Sequence, residues 1–255
     1  MPIRGRVGDE LRASVSSYDG FREETGSPLL RREGPGHDVV LIVSFGEPWR
    51  IDGERLTSFA AGLRDRQVTT RHEGRCHGIH VNVSPPAAYR LLGFPLHELA
   101  YRQVPLEDVL PEPFLAERLH EAGGWEERFR LLDRVLARRL STARPSSRGV
   151  EWAWRRLVDS HGGIRIGTLA RELGWSRKRL VARFREEVGV PPKTAARVIR
   201  FERARALAEQ AARPDWARIA VDAGYYDQSH LINEFRAFSG RTPETFFQDT
   251  VLVAA

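Results

Sequence analysis

The segment SRKRLVARFREE, residues 176–187, carries Leu180 and Phe184 four positions apart. In a helix such a pair faces inward together, which leaves Arg177, Lys178, Val181, Ala182 and Arg185 on the outward side. DQSHLINEFRAF, residues 227–238, has the same plan. Leu231 and Phe235 turn inward, and Gln228, Ser229, His230, Ile232, Asn233 and Arg236 lie on or near the exposed face. Guanidinium and ammonium groups so arranged can neutralise phosphates, and amide or hydroxyl groups can pair with base edges. A different chemistry is offered by RHEGRCHGIH, residues 71–80, with His72, Cys76, His77 and His80. Imidazole and thiolate are good zinc or copper ligands. However, Glu73-Gly74-Arg75 reads as a turn, and a following strand sends Cys76 and His80 to one face and His77 to the other. No regular metal-binding spacing is met, so no metal is expected there, and the histidines are expected on the surface or lining a barrel.

The elements that must hold the two basic and amide-bearing helices repeat. LARELGWSRKRLVARFREEVGVPP, starting at Leu169, matches IAVDAGYYDQSHLINEFRAFSGRTP, starting at Ile219. Ala170 and Gly174 pair with Ala220 and Gly224; Leu180, Phe184, Gly189 and Pro192 pair with Leu231, Phe235, Gly240 and Pro243, one residue being inserted in the second turn. A repeat that keeps helix, glycine, helix and glycine-proline exit is a repeated supersecondary unit. The small side chain of Ala170 or Ala220 lets two helices approach. Gly174 or Gly224 can take the left-handed conformation that ends the first helix. Ser176 and Asp227 stand where caps of the second helices belong. This is the helix-turn-helix plan, in which the second helix enters the major groove.

The rest of the chain gives the context. Its 255 residues suffice for two domains, and 41% hydrophobic with 29% charged residues is a globular composition. Neither a membrane-spanning run nor a signal-peptide core is present, so the protein is expected in the cytoplasm. One cysteine excludes an internal disulfide. The net charge is +6, and between Arg165 and Arg205 there are 12 basic residues against 4 acidic. Such concentrated positive charge suits a phosphate-bearing partner, although a solvated basic face carries it as well. Residues 1–36 are polar and rich in Gly and Arg, which predicts a loosely ordered lead-in or an early edge strand. Val39–Val43 reads as a buried strand, with strand-like stretches at 56–61, 67–72 and 77–83. Ser84 and Pro85 open a helix that stops at Gly93, and further helices are predicted over 114–122 and 125–140. STARPSSRG, residues 141–149, reads as a linker, and everything beyond it as helical.

On the segment GYYDQSHLINEFRAFSGRTPETFF (224–247), with DQSH, the phenylalanine and G-x-TP at their spacing, the chain resembles the AraC/XylS regulators. A weaker likeness to an N-terminal module of some members covers FAAGL and SPPAAYRLLGFPLHEL within residues 58–111. The resemblance implies two helix-turn-helix units joined by a long helix over Pro192–Arg213. It places base-edge contacts on Lys178, Val181 and Ala182, and base or backbone contacts on Ser229 and Asn233. Valine and alanine donate no hydrogen bond, so readout by the first unit would rest on Lys178 and on apolar contact with a thymine methyl. Arg177, Arg179 and Arg183 are then the phosphate candidates, while Gln228 and His230 can serve the turn as well as the groove.

The fold class expected is therefore α+β: a β-rich sensor or oligomerisation module with a helical connector (1–140), a linker (141–149), and an all-α, seven-helix DNA-binding domain with two helix-turn-helix units (150–250). The partners expected are operator duplex DNA and RNA polymerase, with a small-molecule effector or a second copy of the chain acting on the first module, and no membrane. No cofactor is expected. Catalysis is not expected either, since no phosphate-cradling loop or nucleophile elbow occurs. The competing readings are an effector-independent architectural DNA-binding protein and a metal-responsive regulator using the cluster at 72–80. Leu115, Leu119, Phe129, Leu132, Leu136 and Leu140 either form a dimer seam or dock on the chain's own sheet.

Overall fold

Val39-Val40-Leu41-Ile42-Val43 is too β-branched and too apolar to lie on a surface, and in the computed structural model it forms a central strand. The structure describes residues 3–248 and 251–253. The outermost positions of the ranges expected above, 1–2 and 249–250, lie outside the described residues. The strands are β1 (Ile3–Gly5), β2 (Val15–Glu24), β3 (Leu29–Glu33), β4 (Val39–Ser44), β5 (Trp49–Ile51), β6 (Glu54–Leu56), β7 (Phe59–Ala61), β8 (Val68–His72), β9 (Arg75–Val83), β10 (Gln103–Pro105) and β11 (Val251–Val253). They make two antiparallel sheets, ordered β1-β2-β9-β4-β7-β10 and β11-β3-β8-β5-β6. The sheets share an apolar cluster of Ile42, Phe59 and Cys76 from one and Trp49, Ile51 and Val68 from the other. Phe21 meets Trp49 edge-on across the gap at 5.7 Å between ring centres.

The first 36 residues differ from expectation. They hold three strands, and β2 is ten residues long and sits inside its sheet between β1 and β9. Alternation explains why the composition hid it. Val15, Tyr18 and Gly20 are buried on the helix-covered side, while Ser17, Asp19, Phe21 and Glu23 point between the sheets, so a strand used on both faces still reads as polar.

The helices are α1 (Pro85–Leu92), α2 (Leu106–Val109), α3 (Leu115–Glu121), α4 (Trp125–Thr142), α5 (Arg148–Asp159), α6 (Ile166–Glu172), α7 (Arg177–Val188), α8 (Pro192–Glu209), α9 (Trp216–Asp222), α10 (Gln228–Ser239) and α11 (Pro243–Gln248). Gly93 ends α1 in the left-handed conformation. α4 covers the larger sheet: Phe129 stacks on Tyr18 at 5.9 Å, and the Tyr18 hydroxyl donates to Asp133 at 2.9 Å. Leu115, Leu119, Phe129, Leu132, Leu136 and Leu140 are all buried in the chain's own core, so they form no exposed dimer seam. Between α4 and α5 only 143–147 is non-helical. Ser146 is buried there, and the Ser147 N–H donates to the Glu187 carboxylate at 2.7 Å. α8 stops at Glu209, short of Arg213, where the chain turns toward Pro214, a residue that disfavours helix before it. The C-terminal end is not wholly helical, because β11 pairs antiparallel with β3 of the smaller sheet.

The cores are shared unevenly. Leu169, Leu180, Phe184 and Val188 of the first helix-turn-helix unit belong to the same apolar cluster as α1, α4 and the larger sheet. The second unit has its own cluster, around Phe201, Leu231, Phe235 and Phe238. That second unit is tied back to the sheets through polar groups: Gln67 N–H donates to the Phe238 carbonyl at 2.7 Å, Arg197 lies 3.7 Å from Asp65, and His37 binds Glu202. Burial by itself would lower the His37 pKa, but the hydrogen bond and charge of Glu202 outweigh it, with Asp38 adding to them and Arg205 opposing, and raise it from 6.5 to about 9. A histidine with a folded-state pKa above its unfolded value stabilises the fold fully below the unfolded value and stops doing so as pH rises through the folded one. Stability against urea should therefore fall between pH 6.5 and about 9 in the native chain, and His37→Gln should flatten that slope; equal slopes would exclude the pair as its source.

Candidate nucleic-acid interface

Each unit is built from the same local bonds. In the first, Gly174 at the end of α6 takes φ +63°, its N–H donates to the Arg171 carbonyl at 3.0 Å, and Trp175 N–H donates to the Ala170 carbonyl at 2.9 Å. In the second, Gly224 takes φ +79°, donates to Val221 at 3.0 Å, and Tyr225 N–H donates to Ala220 at 2.8 Å. A left-handed glycine closing a helix with these backward bonds turns the chain within two residues. Ala170 and Ala220 are both buried at the crossing. The second helices then start from side-chain caps: Ser176 Oγ accepts from Arg179 N–H at 3.1 Å, and the Asp227 carboxylate accepts from His230 N–H at 2.7 Å.

The faces follow. Leu180 and Phe184 on α7, and Leu231 and Phe235 on α10, are fully buried. Arg177, Lys178, Val181, Ala182 and Arg185 are exposed on α7, as are Gln228, Ser229, Asn233 and Arg236 on α10. His230 and Ile232 are half-buried. The His230 ring stands edge-on to Tyr225 at 5.2 Å and its Nδ1 accepts from Tyr226 N–H at 3.4 Å, so this side chain serves the turn.

Charge on the two outward faces is one-sided. The acids of α7 are drawn elsewhere: Arg183 pairs with Glu186 at 2.9 Å and with buried Glu187 at 2.6 Å. Arg183, half-buried, is thus paired with two acids of its own helix. Burial raises the Glu187 pKa even though Ser147 N–H and Arg183 oppose it. On α10 the acid, Glu234, is buried and pairs with Arg197 of α8 at 2.7 Å. Arg179 is exposed and lies over the Trp175 ring at 4.6 Å. Tyr226, 90% exposed beside the start of α10, was not singled out by sequence reasoning. Its signal was the doubled tyrosine of GYYD, in which Tyr225 fills the core and its neighbour cannot.

Of the four residues of the 71–80 segment, His72 and Cys76 come together, whereas His77 and His80 lie apart from them. His77 lies on the helix-covered face of β9, against Phe45 at 5.0 Å and Trp125 at 5.4 Å. Cys76 and His80 point between the sheets, but their cross-strand neighbours on β2 are different residues, Glu23 and Asp19. His72 comes from the opposite sheet. Burial, then Glu23, pushes the Cys76 thiol up to about 12, and burial lowers His72.

A cap is a local device with a local cost. Asp227→Ala should lower stability by about 0.5–2 kcal/mol, read as a smaller unfolding free energy in urea, and Asp227→Asn should restore most of it.

Among known proteins, residues 169–249 match the family model described as a helix-turn-helix domain. No curated protein sequence matches the chain. Of solved structures, ToxT from Vibrio cholerae superposes with a TM-score of 0.52 at 13% identity, over 91% of this chain and 97% of ToxT. Wild-type ToxT from the same organism with an unsaturated fatty acid bound gives 0.52 at 11% identity, over 95% and 97%. At such identities the likeness is one of fold, and it extends over both the β-rich and the helical parts. Residues 169–249 thus match a helix-turn-helix domain family, and the chain as a whole shares the fold of ToxT.

Proposed function

We propose that this chain is a DNA-binding transcription regulator of the AraC type that reads a long, asymmetric operator with α7 and α10 in successive major-groove segments of one duplex, and that a small molecule bound by the β-rich module modulates that reading. The observation that carries the proposal is the sorting of charge: on both helices the acids are buried or paired inward, leaving outward faces on which the charged side chains are basic. Lys178 reads base edges in the first unit, with Val181 and Ala182 in apolar contact, and Ser229 and Asn233 do so in the second. An asparagine amide can pair bidentately with adenine. Arg177, Arg179, Arg185 and Arg236 hold phosphates, which fix position without reading sequence. Gln228 is exposed at the start of α10, while His230 supports the turn.

Bound to DNA, the protein recruits or blocks RNA polymerase, without catalysis of its own. Among the described residues, no helix is long and apolar enough to cross a membrane; the cytoplasm is the compartment this reading assigns. The effector reading is supported by the ToxT structure with a bound fatty acid and by a cavity of about 680 Å³ at the β-rich module, bordered by Phe45, His77, His120 and Arg128. If two chains pair on the operator, they do so through a surface other than the buried leucines of α3 and α4.

Selection of random duplexes by the full chain should return two conserved segments about one helical turn, roughly 10–10.5 base pairs, apart. A single short segment would refute the two-helix reading, and the absence of any motif would favour an architectural role. Asn233→Ala should weaken operator binding by about 1–3 kcal/mol while sparing non-specific DNA, and Lys178→Ala should relax the other segment. Arg177→Ala and Arg185→Ala should weaken all duplexes alike, each reducing the slope of log affinity against log salt by about 0.9. Unchanged slopes would take these two arginines off the phosphates.

A further inference from the structure

The space between the sheets is more polar than a sandwich interior needs to be. Among the described residues, Trp49 Nε1, Thr70 Oγ1, His72 Nε2 and His80 Nε2 are buried there without hydrogen-bond partners. Orphaned donors and acceptors of this kind are costly unless a ligand or water meets them. Three functional groups converge at one end of this space. β2 and β9 pair Glu23 directly opposite Cys76, and His72, 1% exposed, enters from β8 of the facing sheet. His72 Nε2 lies 3.3 Å from Glu23 Oε2 but out of line for a hydrogen bond, and Cys76 Sγ is 3.7 Å from the same oxygen. All three donor atoms fall within 4.8 Å of one another.

We propose that Glu23 Oε2, His72 Nε2 and Cys76 Sγ form a three-ligand site for a borderline divalent cation of the zinc class. Bond lengths of about 2.0–2.1 Å to nitrogen and oxygen and about 2.3 Å to sulfur imply tetrahedral edges of roughly 3.3–3.6 Å. Two of the edges are already close to that. One sulfur, one nitrogen and one oxygen donor favour zinc-like ions over magnesium or calcium, which take oxygen alone. Glu23 and Cys76 are also among the residues that border the cavity of about 680 Å³. Arg31 of β3 donates to both Glu23 oxygens at 2.8 Å. A carboxylate has about four lone-pair directions, so the arginine can stay as an orienting partner while Oε2 takes the cation.

Occupation has a definite proton balance. In the structure, Gly74 N–H donates to His72 Nδ1 at 3.2 Å, so the ring proton belongs on Nε2. The cation takes the Nε2 lone pair, the ring proton moves to Nδ1, and the Gly74 bond is given up. The Cys76 thiol binds as thiolate and releases one proton per ion. The ion then joins the two sheets, and it does so on β8, the strand that pairs with the β3 edge to which β11 adds. The site is independent of the operator reading, and its test contains no DNA.

Full-length protein stripped with chelator should be titrated with cobalt(II), followed by displacement with zinc. The expected result is one ion per chain, a thiolate-to-cobalt charge-transfer band together with four-coordinate visible absorption, and a shifted or broadened Gly74 amide resonance when zinc replaces cobalt. Cys76→Ser and His72→Gln should each lose the band and weaken binding by more than the roughly 10–100-fold that an outer partner is worth, whereas His77→Gln should bind like the native chain. Binding without the thiolate band, equal affinity in Cys76→Ser, or an unmoved Gly74 amide in zinc-saturated native protein would each overturn the assignment. The last measurement needs no variant, so a substitution that fails to fold leaves the proposal open to refutation.

Discussion

α8 has to be buried in two places at once, and the remaining helices are arranged around that requirement. Ala195, Ala196 and Ile199 face the cluster shared with the larger sheet and the first unit, whereas Val198, Phe201, Ala204 and Ala208 face the cluster of the second unit. A helix apolar around most of its circumference cannot lie on a surface. It must be gripped from both sides, and the two grips are the two helix-turn-helix units. Arg197 and Arg200 emerge from the rim between those faces. Arg197 meets buried Glu234 of α10, and Arg200 donates to the Gly162 carbonyl before α6 at 2.8 Å. The helix is thereby pinned to one unit at each contact by a charged group that has a partner.

That arrangement makes the two units unequal. The first is continuous with the connector helices: Gly189, with φ +96°, brings the end of α7 so near the 96–98 turn that a side chain there would meet the Leu96 carbonyl at 3.0 Å. Moving α7 relative to the β-rich module would therefore tear a shared apolar core. The second unit touches the sheets mostly through hydrogen bonds, ion pairs and the β3–β11 edge, contacts that water can replace at modest net cost. α7 is thus held to the β-rich module by rigid packing, and α10 by contacts able to open.

The second half of the chain was readable because its constraints are local. A left-handed glycine, a cap and an inward pair four residues apart lie within one short window, and the duplication of that window, with its G-x-x-P exit, is hard to produce without two units. Even the boundaries of α7 and the cap of α10 follow from residue type. The β-rich half was less legible because its constraints act across the fold. β2 alternates between a covered face and a half-polar interior, so the period survives while the composition misleads. Glu23 joins His72 and Cys76 only through the β2–β9 register and the approach of the second sheet, neither of which the spacing in 71–80 encodes.

The polarity between the sheets carries its own implication. A module whose only duty was to hold two recognition helices in place would be most stable with an apolar interior, since each buried polar atom without a partner subtracts from a small net stability. This one instead places Asp19, Glu23, Arg31, His72, His80 and Asn82 on facing or neighbouring strands, and satisfies only some of them internally. By contrast, the opposite face of the larger sheet, under α4, is packed with Tyr18, Ile79, Val81 and Phe129 in an ordinary apolar core. The same strands thus build a stable side and a costly side. A costly interior maintained beside a sound core is what a binding site requires of a protein, because groups left incompletely paired in the empty state are those that gain most when an ion or polar molecule arrives.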